Sequence, residues 1–449
     1  RKTITTIVAT AILLAGWQLF AVIANQPELI PSLPRLVRTL CEWLVSGSFY
    51  QSVGATIFRG ILGMSISFVC AIGMAGLFAR FEWVYELFRP LLAIMRSIPV
   101  ISFILLALIF LNPESIPLMI AFLTMFPLLT ENLTRGILDL RPGLSIMARQ
   151  FHIKRSNVLF QIIYPQLKPF LYSGLASAAG FGWRAIIMGE VLSQCAFGIG
   201  SEMKRAQNFI AVPELLAWTI VAVFISFFFD KGISKVADIT PKISFANEDQ
   251  TIPTPTLSVL DTKDISYQYG IQHFSHSFQK GIIYGISAPS GKGKTTLLNL
   301  IGGILLPTEG EIHPTRHFGI ATIFQQPQLL PYLTAEENII LPLSSFLTEE
   351  KARRIAQKHL QEMEMEPFGN RYPKELSYGQ QQRIAIARAL AYPSPLLLMD
   401  EPFKGLDEAL SHRIIERIRE KQMKEERIIL FTSHNPDEIR LLADEVIYL

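Results

Sequence analysis

The sequence predicts a two-domain protein, with an all-α membrane-spanning half of about six helices followed by an α/β half. Three observations predict it. Nearly all the long apolar runs lie before residue 232. The second half reads like a soluble protein and holds a short strand, a Gly-rich loop and a helix in succession, between Ile282 and Ile304. Later, an apolar strand ends in two carboxylates, Asp400 and Glu401. At 449 residues the chain is long enough for two or three domains of roughly 150 each.

In the first half, a helix needs about 20 apolar residues to cross the hydrocarbon core. Candidate spans are Ile4–Ala24, Gly60–Ala79, Val100–Leu111 with its flanks, Ile116–Leu133, Leu171–Leu192 and Leu215–Phe229. The first follows Arg1 and Lys2, the order found in a signal peptide. Its length, and the lack of a small-residue cleavage site before Pro27, favour a span. Residue 1 is not Met, so the start of the native chain is left open. The third span has the shortest clean run, bounded by Pro99 and Pro113.

Loop charges set the expected orientation. Arg80, Arg89 and Arg96 mark one basic segment. Arg135, Arg141, Arg149, Lys154, Arg155 and Lys168 mark a second. The positive-inside rule puts both, and the N-terminus, in the cytoplasm. Six crossings would then return the chain to the cytoplasm at Asp230, the side where ATP is. Charges within spans are costly and often functional, so Arg184 and Glu190 stand out, with Arg59 just before the second span. Snorkelling or mutual pairing is the plainer expectation for each.

The net charge of +3 is small and does not point to nucleic acid. The three cysteines, Cys41, Cys70 and Cys195, form no Cys-x-x-Cys pair, so neither a zinc site nor a disulfide framework is indicated. Residues 233–256 mix charged residues with Pro241, Pro253 and Pro255, without apolar periodicity. They read as a linker that tethers a domain at 1–232 to one at 257–449.

The second half carries the chemistry. Ala288-Pro-Ser-Gly-Lys-Gly-Lys-Thr-Thr296 lies between a strand and an apolar helix. Here Ala288, Pro289, Ser290, Gly291, Lys292, Gly293, Lys294, Thr295 and Thr296 form a P-loop, the cradle for ATP. Gly291 and Gly293 let backbone N–H groups curl around phosphate oxygens, and the helix N-terminus adds its dipole. Lys294 reaches the β- and γ-phosphates, and Thr295 binds Mg²⁺. The first Gly of the usual pattern is Ala288. Strand ends in such sheets face the nucleotide crevice. Asp400 would hold Mg²⁺ through its water shell, and Glu401 would polarise the attacking water.

Between these motifs, Leu376-Ser-Tyr-Gly-Gln380 and the helix that follows resemble the signature of ABC ATPases, with Tyr378 in place of a Gly. The resemblance implies that Ser377, Gly379 and Gln380 touch the γ-phosphate of ATP held by a second copy, so that two nucleotides are sandwiched in a homodimer. It also implies roles for Gln325 as the lid glutamine that senses Mg²⁺ and the permease loop. Asp407 matches the loop after the acidic pair, and His434 the switch histidine on the γ-phosphate. Tyr269 matches the aromatic that stacks on adenine, with Tyr267 as its rival. As written the sequence stops at Leu449, and no C-terminal regulatory domain is expected.

The first half adds its own resemblance. The loop Ser145–Pro165 is similar to the coupling loop of binding-protein-dependent importers, with matches at Ala148 and Pro165. Ile146 stands where that pattern has Glu, and His152 where it has Gly. Pro31-Ser-Leu-Pro34, Arg89-Pro90, Arg96-Ser-Ile-Pro99 and Trp183-Arg-Ala-Ile-Ile-Met-Gly-Glu190 resemble the nitrate/sulfonate/taurine-type permeases. That family implies a type I importer-like permease fused to its ABC ATPase, with the basic loop docking on the ATPase. A separate solute-binding protein would bring a small-molecule substrate, and membrane lipid would surround the permease in the cell (inner or plasma) membrane. An exporter half-transporter and a non-transporting signalling ATPase are the alternatives. The first is disfavoured by the short membrane half, the second by the lack of a large external domain.

Overall fold

The computed structural model describes residues 2–237, 241–250, 257–268, 270–289, 291–314 and 319–449. The chain divides into two compact units, Arg1–Leu140 with Gln166–Thr240, and Arg141–Pro165 with Pro241–Leu449. The basic loop thus folds into the second unit, although it lies within the first half of the sequence.

The first unit is all helix. Its elements are α1 (Lys2–Ala24), α2 (Leu33–Trp43), α3 (Gly47–Arg80), α4 (Glu82–Ser97), α5 (Val100–Phe110) and α6 (Ile116–Leu138). In the basic loop come α7 (Pro142–Gln150) and α8 (Arg155–Asn157). Then follow α9 (Tyr164–Ser193), α10 (Ile199–Asn208) and α11 (Val212–Ala237). A π-helical turn, Val158–Ile163, joins α8 to α9.

The expected six crossings are not all present as straight spans. Among the described residues four helices are long and apolar enough: Gly47–Arg80, Pro113–Leu138, Arg155–Ser193 and Val212–Ala237. A fifth exists only if α4 and α5, bent by 94° at their junction, count as one span. The physical reason is length. The 11 residues of α5 rise about 16 Å, half of a ~30 Å hydrocarbon core. Pro99 interrupts the helix at the bend. The described apolar part of α1, Ala11–Ala24, is also short.

Small residues let the spans approach. Ala71 and Ala75 on α3 are fully buried, as is Ala121 on α6. A Cβ on Gly63 would meet that of Ala121 at 2.7 Å, so only Gly permits this crossing. Close backbone approach is how helices associate where lipid removes the hydrophobic drive. Trp43, Phe49 and Trp218 stack α2, α3 and α11 together, with centroids 4.6 Å apart for the two indoles.

Glu190 on α9 is fully buried and paired. It accepts from Arg59 Nη1 at 2.7 Å, from Thr56 Oγ1 at 2.9 Å and from the Gly200 N–H at 2.9 Å. Arg59 also donates to Glu114 at 2.6 Å and to the Phe197 carbonyl at 2.8 Å. The pairing expected of these charges is therefore met by Arg59 and Glu190. Arg184 instead lies on an exposed helix face.

The second unit is α/β. Its elements are β1 (Val259–Tyr267), β2 (Ile271–Gln279), β3 (Ile283–Ser287), α12 (Lys294–Ile301), β4 (Glu309–His313), β5 (Ala321–Ile323), α13 (Ala335–Leu343) and α14 (Glu349–Glu362). They continue as α15 (Tyr378–Ala391), β6 (Leu396–Asp400), α16 (Glu408–Glu425), β7 (Ile428–Thr432), α17 (Pro436–Leu442) and β8 (Glu445–Tyr448). A parallel sheet in the order β5-β6-β7-β3-β8 forms the core, beside an antiparallel sheet β2-β1-β4. Strands β6 and β7 are buried throughout, as a parallel sheet covered on both faces requires. This sheet brings the C-terminal ends of β3, β6 and β7 side by side.

Candidate active site

Each of those strand ends delivers part of the site. After β3 the chain turns through Gly291 and Gly293, at φ +81° and +89°, into α12. A side chain at Gly293 would also strike the Gly270 carbonyl, 2.6 Å from its Cβ. Positive φ and this close approach both select glycine there. Lys294 Nζ donates to the carbonyl of Ala288 at 2.7 Å and lies 3.3 Å from His434 Nδ1. The Ala288 departure therefore keeps its backbone contact within the loop. Lys292 and Pro289 lie in the turn, and Thr296 is in the first turn of α12.

β6 supplies the acidic pair. Thr295 Oγ1 donates to Asp400 Oδ2 at 2.9 Å, and Thr432 Oγ1 donates to Asp400 Oδ1 at 2.8 Å. Thr432, at the end of β7, also accepts from the Glu401 N–H at 3.1 Å. Glu401 Oε1 is 3.0 Å from His434 Nε2, and its Oε2 is 3.2 Å from Lys404 Nζ. Partial burial works to raise the Glu401 pKa. Hydrogen bonds from Lys404 and Gln325, with the charges of Lys404 and His434, outweigh it and hold the carboxyl below its ordinary value. Lys294, Thr295, Gln325, Asp400, Glu401 and His434 are thus brought together.

Thr295, Gln325 and Asp400 line one cleft of about 280 Å³. Hydroxyl, amide and carboxylate oxygens are the donors a hard cation such as Mg²⁺ takes, completed by phosphate oxygens and water. The residues present fit that ion. The same cleft is lined by Gly143 and Ile146 of the basic loop.

The signature residues lie elsewhere. Ser377 caps α15, accepting from Gln380 N at 3.3 Å, while Gln380 Oε1 accepts from Ser377 N at 2.9 Å. This reciprocal capping box explains both residue types locally. Gly379 approaches the Gly405 carbonyl so closely that a Cβ would sit 2.6 Å from it. Asp407 caps α16 through the Leu410 N–H at 2.9 Å. Among the described residues no hydrogen bond links Ser377, Gly379, Gln380 or Asp407 to the P-loop. Tyr378, the departure from the signature, donates its hydroxyl to the Gln325 carbonyl at 2.7 Å. Tyr269 and Ser290 lie outside the described residues, while Tyr267 ends β1 half-buried.

The basic loop seats on the same core. Phe151 is fully buried, edge-on to Tyr392 at 5.2 Å, with the Arg388 guanidinium 5.4 Å from its ring. Arg388 donates to the carbonyls of Gln328 and Pro327 at 2.8 and 2.9 Å, just beyond Gln325 in sequence. Desolvation pushes its pKa down to about 9. Gln150 Nε2 donates to the Gly302 carbonyl at 2.8 Å. His152 has φ +46°, the left-handed region that glycine favours. Sequence reasoning missed Phe151, Gln150, Arg388, Lys404 and Thr432. An aromatic inside a basic loop was the available signal for Phe151, and a hydroxyl at a strand end the signal for Thr432.

Comparison with known proteins agrees with this geometry. Residues 271–404 match the ABC transporter family, and residues 63–230 match the family described as binding-protein-dependent transport system inner membrane component. An uncharacterised ABC transporter ATP-binding protein of Methanocaldococcus jannaschii is 34% identical over 201 residues, 40% of this chain and 85% of that protein. An Fe(3+) ions import ATP-binding protein of Rhizobium etli is 35% identical over 189 residues, 40% of this chain and 54% of that protein. A glucose import ATP-binding protein of Saccharolobus solfataricus is 35% identical over 185 residues, 38% of this chain and 52% of that protein. The chain spans about half the length of these last two relatives. A P-loop, an acidic strand end and His434 in one cluster, and a relative covered over most of its length, lead to one conclusion: the chain belongs to the ABC transporter family and joins a multi-pass permease domain to an ATP-hydrolysing cassette in one polypeptide.

Proposed function

We propose that this chain is one half of an ATP-driven importer. It works as a homodimer in the cell (inner or plasma) membrane, with the ATPase domain in the cytoplasm. Its substrate is a small solute of the nitrate, sulfonate, taurine or thiamine-precursor class, handed over by a separate solute-binding protein. The observation that carries the reading is the seating of Gly143 and Ile146 on the cleft that Thr295, Gln325 and Asp400 line. Closure around nucleotide would thereby reach a loop that belongs to the permease in sequence. The match to a binding-protein-dependent permease supports import, as do relatives named for import of iron and of glucose.

Lys294 would hold the terminal phosphates, and Glu401 would align the attacking water with His434 beside it. Thr295, Asp400 and Gln325 would hold Mg²⁺, which neutralises phosphate charge. Among the described residues no hydrogen bond joins Ser377 to the P-loop, which supports a site completed by a second copy. The test is uptake into proteoliposomes with ATP inside and a candidate binding protein outside. Uptake needing both ATP and the binding protein is expected. Efflux driven by ATP, or ATP hydrolysis without movement of any candidate solute, would overturn import.

A further inference from the structure

We propose that residues 241–250, part of the stretch that joins the two domains in sequence, form a strap that holds the basic loop on the ATPase core and is required to pass nucleotide binding to the permease. The proposal rests on the coupling role of the loop given above.

The contacts are specific. The Asn157 side-chain amide pairs with both backbone groups of Ser244. Its Nδ2 donates to the Ser244 carbonyl at 2.8 Å, and its Oδ1 accepts from the Ser244 N–H at 2.8 Å. The same Nδ2 reaches Ser344 Oγ at 2.8 Å. Gln161 Nε2 donates to the Pro241 carbonyl at 3.0 Å. Asn157 and Gln161 are 1% and 3% exposed. Buried amides with bonded partners mark a built contact, since breaking it strands polar groups away from water.

The strap is held from the other side by the ATPase unit. Ala246 N donates to the Ser344 carbonyl at 3.1 Å, and Gln250 N to the Phe346 carbonyl at 2.9 Å. Asp249 Oδ1 accepts from Thr348 N at 2.9 Å and from its hydroxyl at 3.0 Å, at the start of α14. The loop reaches the same turn, where Lys154 N donates to Ser345 Oγ at 2.9 Å. Ile243 and Phe245 pack on the apolar core that contains Phe151, Ile153 and Ile162 of the loop and Leu343 and Leu347 of the ATPase. A tether that only limits distance needs no such anchors. Here loop, strap and the turn between α13 and α14 meet as three parts of one joint.

The test uses the full-length chain in proteoliposomes on a Glu401→Gln background, which retains ATP. Hydrogen exchange of 171–192 is read with and without ATP. Wild-type strap should give an ATP-dependent change there, with the Ser244, Ala246 and Gln250 amides protected. The double variant Ile243→Ser, Phe245→Ser should retain ATP but lose the permease response, while the apolar double variant Ile243→Leu, Phe245→Leu should keep both. Phe151→Ala serves as the loop control. If Phe151→Ala abolishes the response and the strap variant does not, the strap is wrong and the coupling reading stands. If neither abolishes it, both fall. Unprotected Ser244, Ala246 and Gln250 amides in the unsubstituted strap would also overturn the proposal, whatever the fold of the variants.

Discussion

Glu401 sits at φ +47°, an uncommon conformation for a side chain of its kind. The turn aims its carboxylate between His434 and Lys404. Because Lys404 helps to keep the carboxyl ionised, its removal has a definite sign. In Lys404→Met the Glu401 pKa rises toward the ordinary carboxylate value. Activity that needs the ionised form is lost as pH falls through that pKa, so the acid limb of the ATPase profile should move to higher pH. An unmoved limb would show that another group sets it. His152 gives a second residue-scale prediction. The importer pattern has Gly at this place, and His152 takes up the left-handed φ that explains why. Relief of that strain in His152→Gly, less the added freedom of the unfolded chain, should stabilise the protein by about 0.5–1 kcal/mol. Thermal unfolding of the full chain in detergent measures it.

The helix α7 is where an element-scale prediction belongs. Gln150 at its end joins the loop to the Gly302 carbonyl after α12 and lies 3.4 Å from the Thr322 hydroxyl on β5. Gln150→Ala leaves a buried carbonyl unpaired, which costs about 1–3 kcal/mol. A lower midpoint in the same thermal assay is expected, and an unchanged one would mean that water takes over the bond. Legibility in the sequence also varies by element. β6 was readable because an apolar run ending in Asp400-Glu401 has a chemical reason to stop there. α12 was readable because Gly291 and Gly293 permit a turn that other residues resist. The break between α4 and α5 was not, since Arg89-Pro90 and Pro99 read equally as a loop. β1 and β2 were missed because Asp, Lys, His, Ser and Gln alternate on their exposed faces. Residues 241–250 read as a tether because, the Asp249 carboxylate apart, their hydrogen bonds are made by backbone groups, which carry no side-chain signature.

At the scale of the whole molecule, the question is what completes the site. Lys294 and Ser377 belong to one chain but share no bond within it, so each is expected to serve a different nucleotide. A homodimer related by a two-fold axis would then hold two composite sites, each with the P-loop of one copy and the signature of the other. Complementation can read this directly. On a Glu401→Gln background, a chain with Lys294→Ala lacks every competent P-loop, and a chain with Ser377→Arg lacks every competent signature. Neither alone should occlude ATP. In mixed dimers, the P-loop of the Ser377→Arg copy faces the intact signature of the Lys294→Ala copy, so one site of the two is whole. Random pairing of equal amounts makes about half the dimers mixed, so occlusion of about one nucleotide for every four chains is expected. If instead each chain used its own signature, every chain in the mixture would carry one defect, and the mixture would occlude no more than its parts. Recovery upon mixing thus separates a site shared between copies from one contained in a single chain.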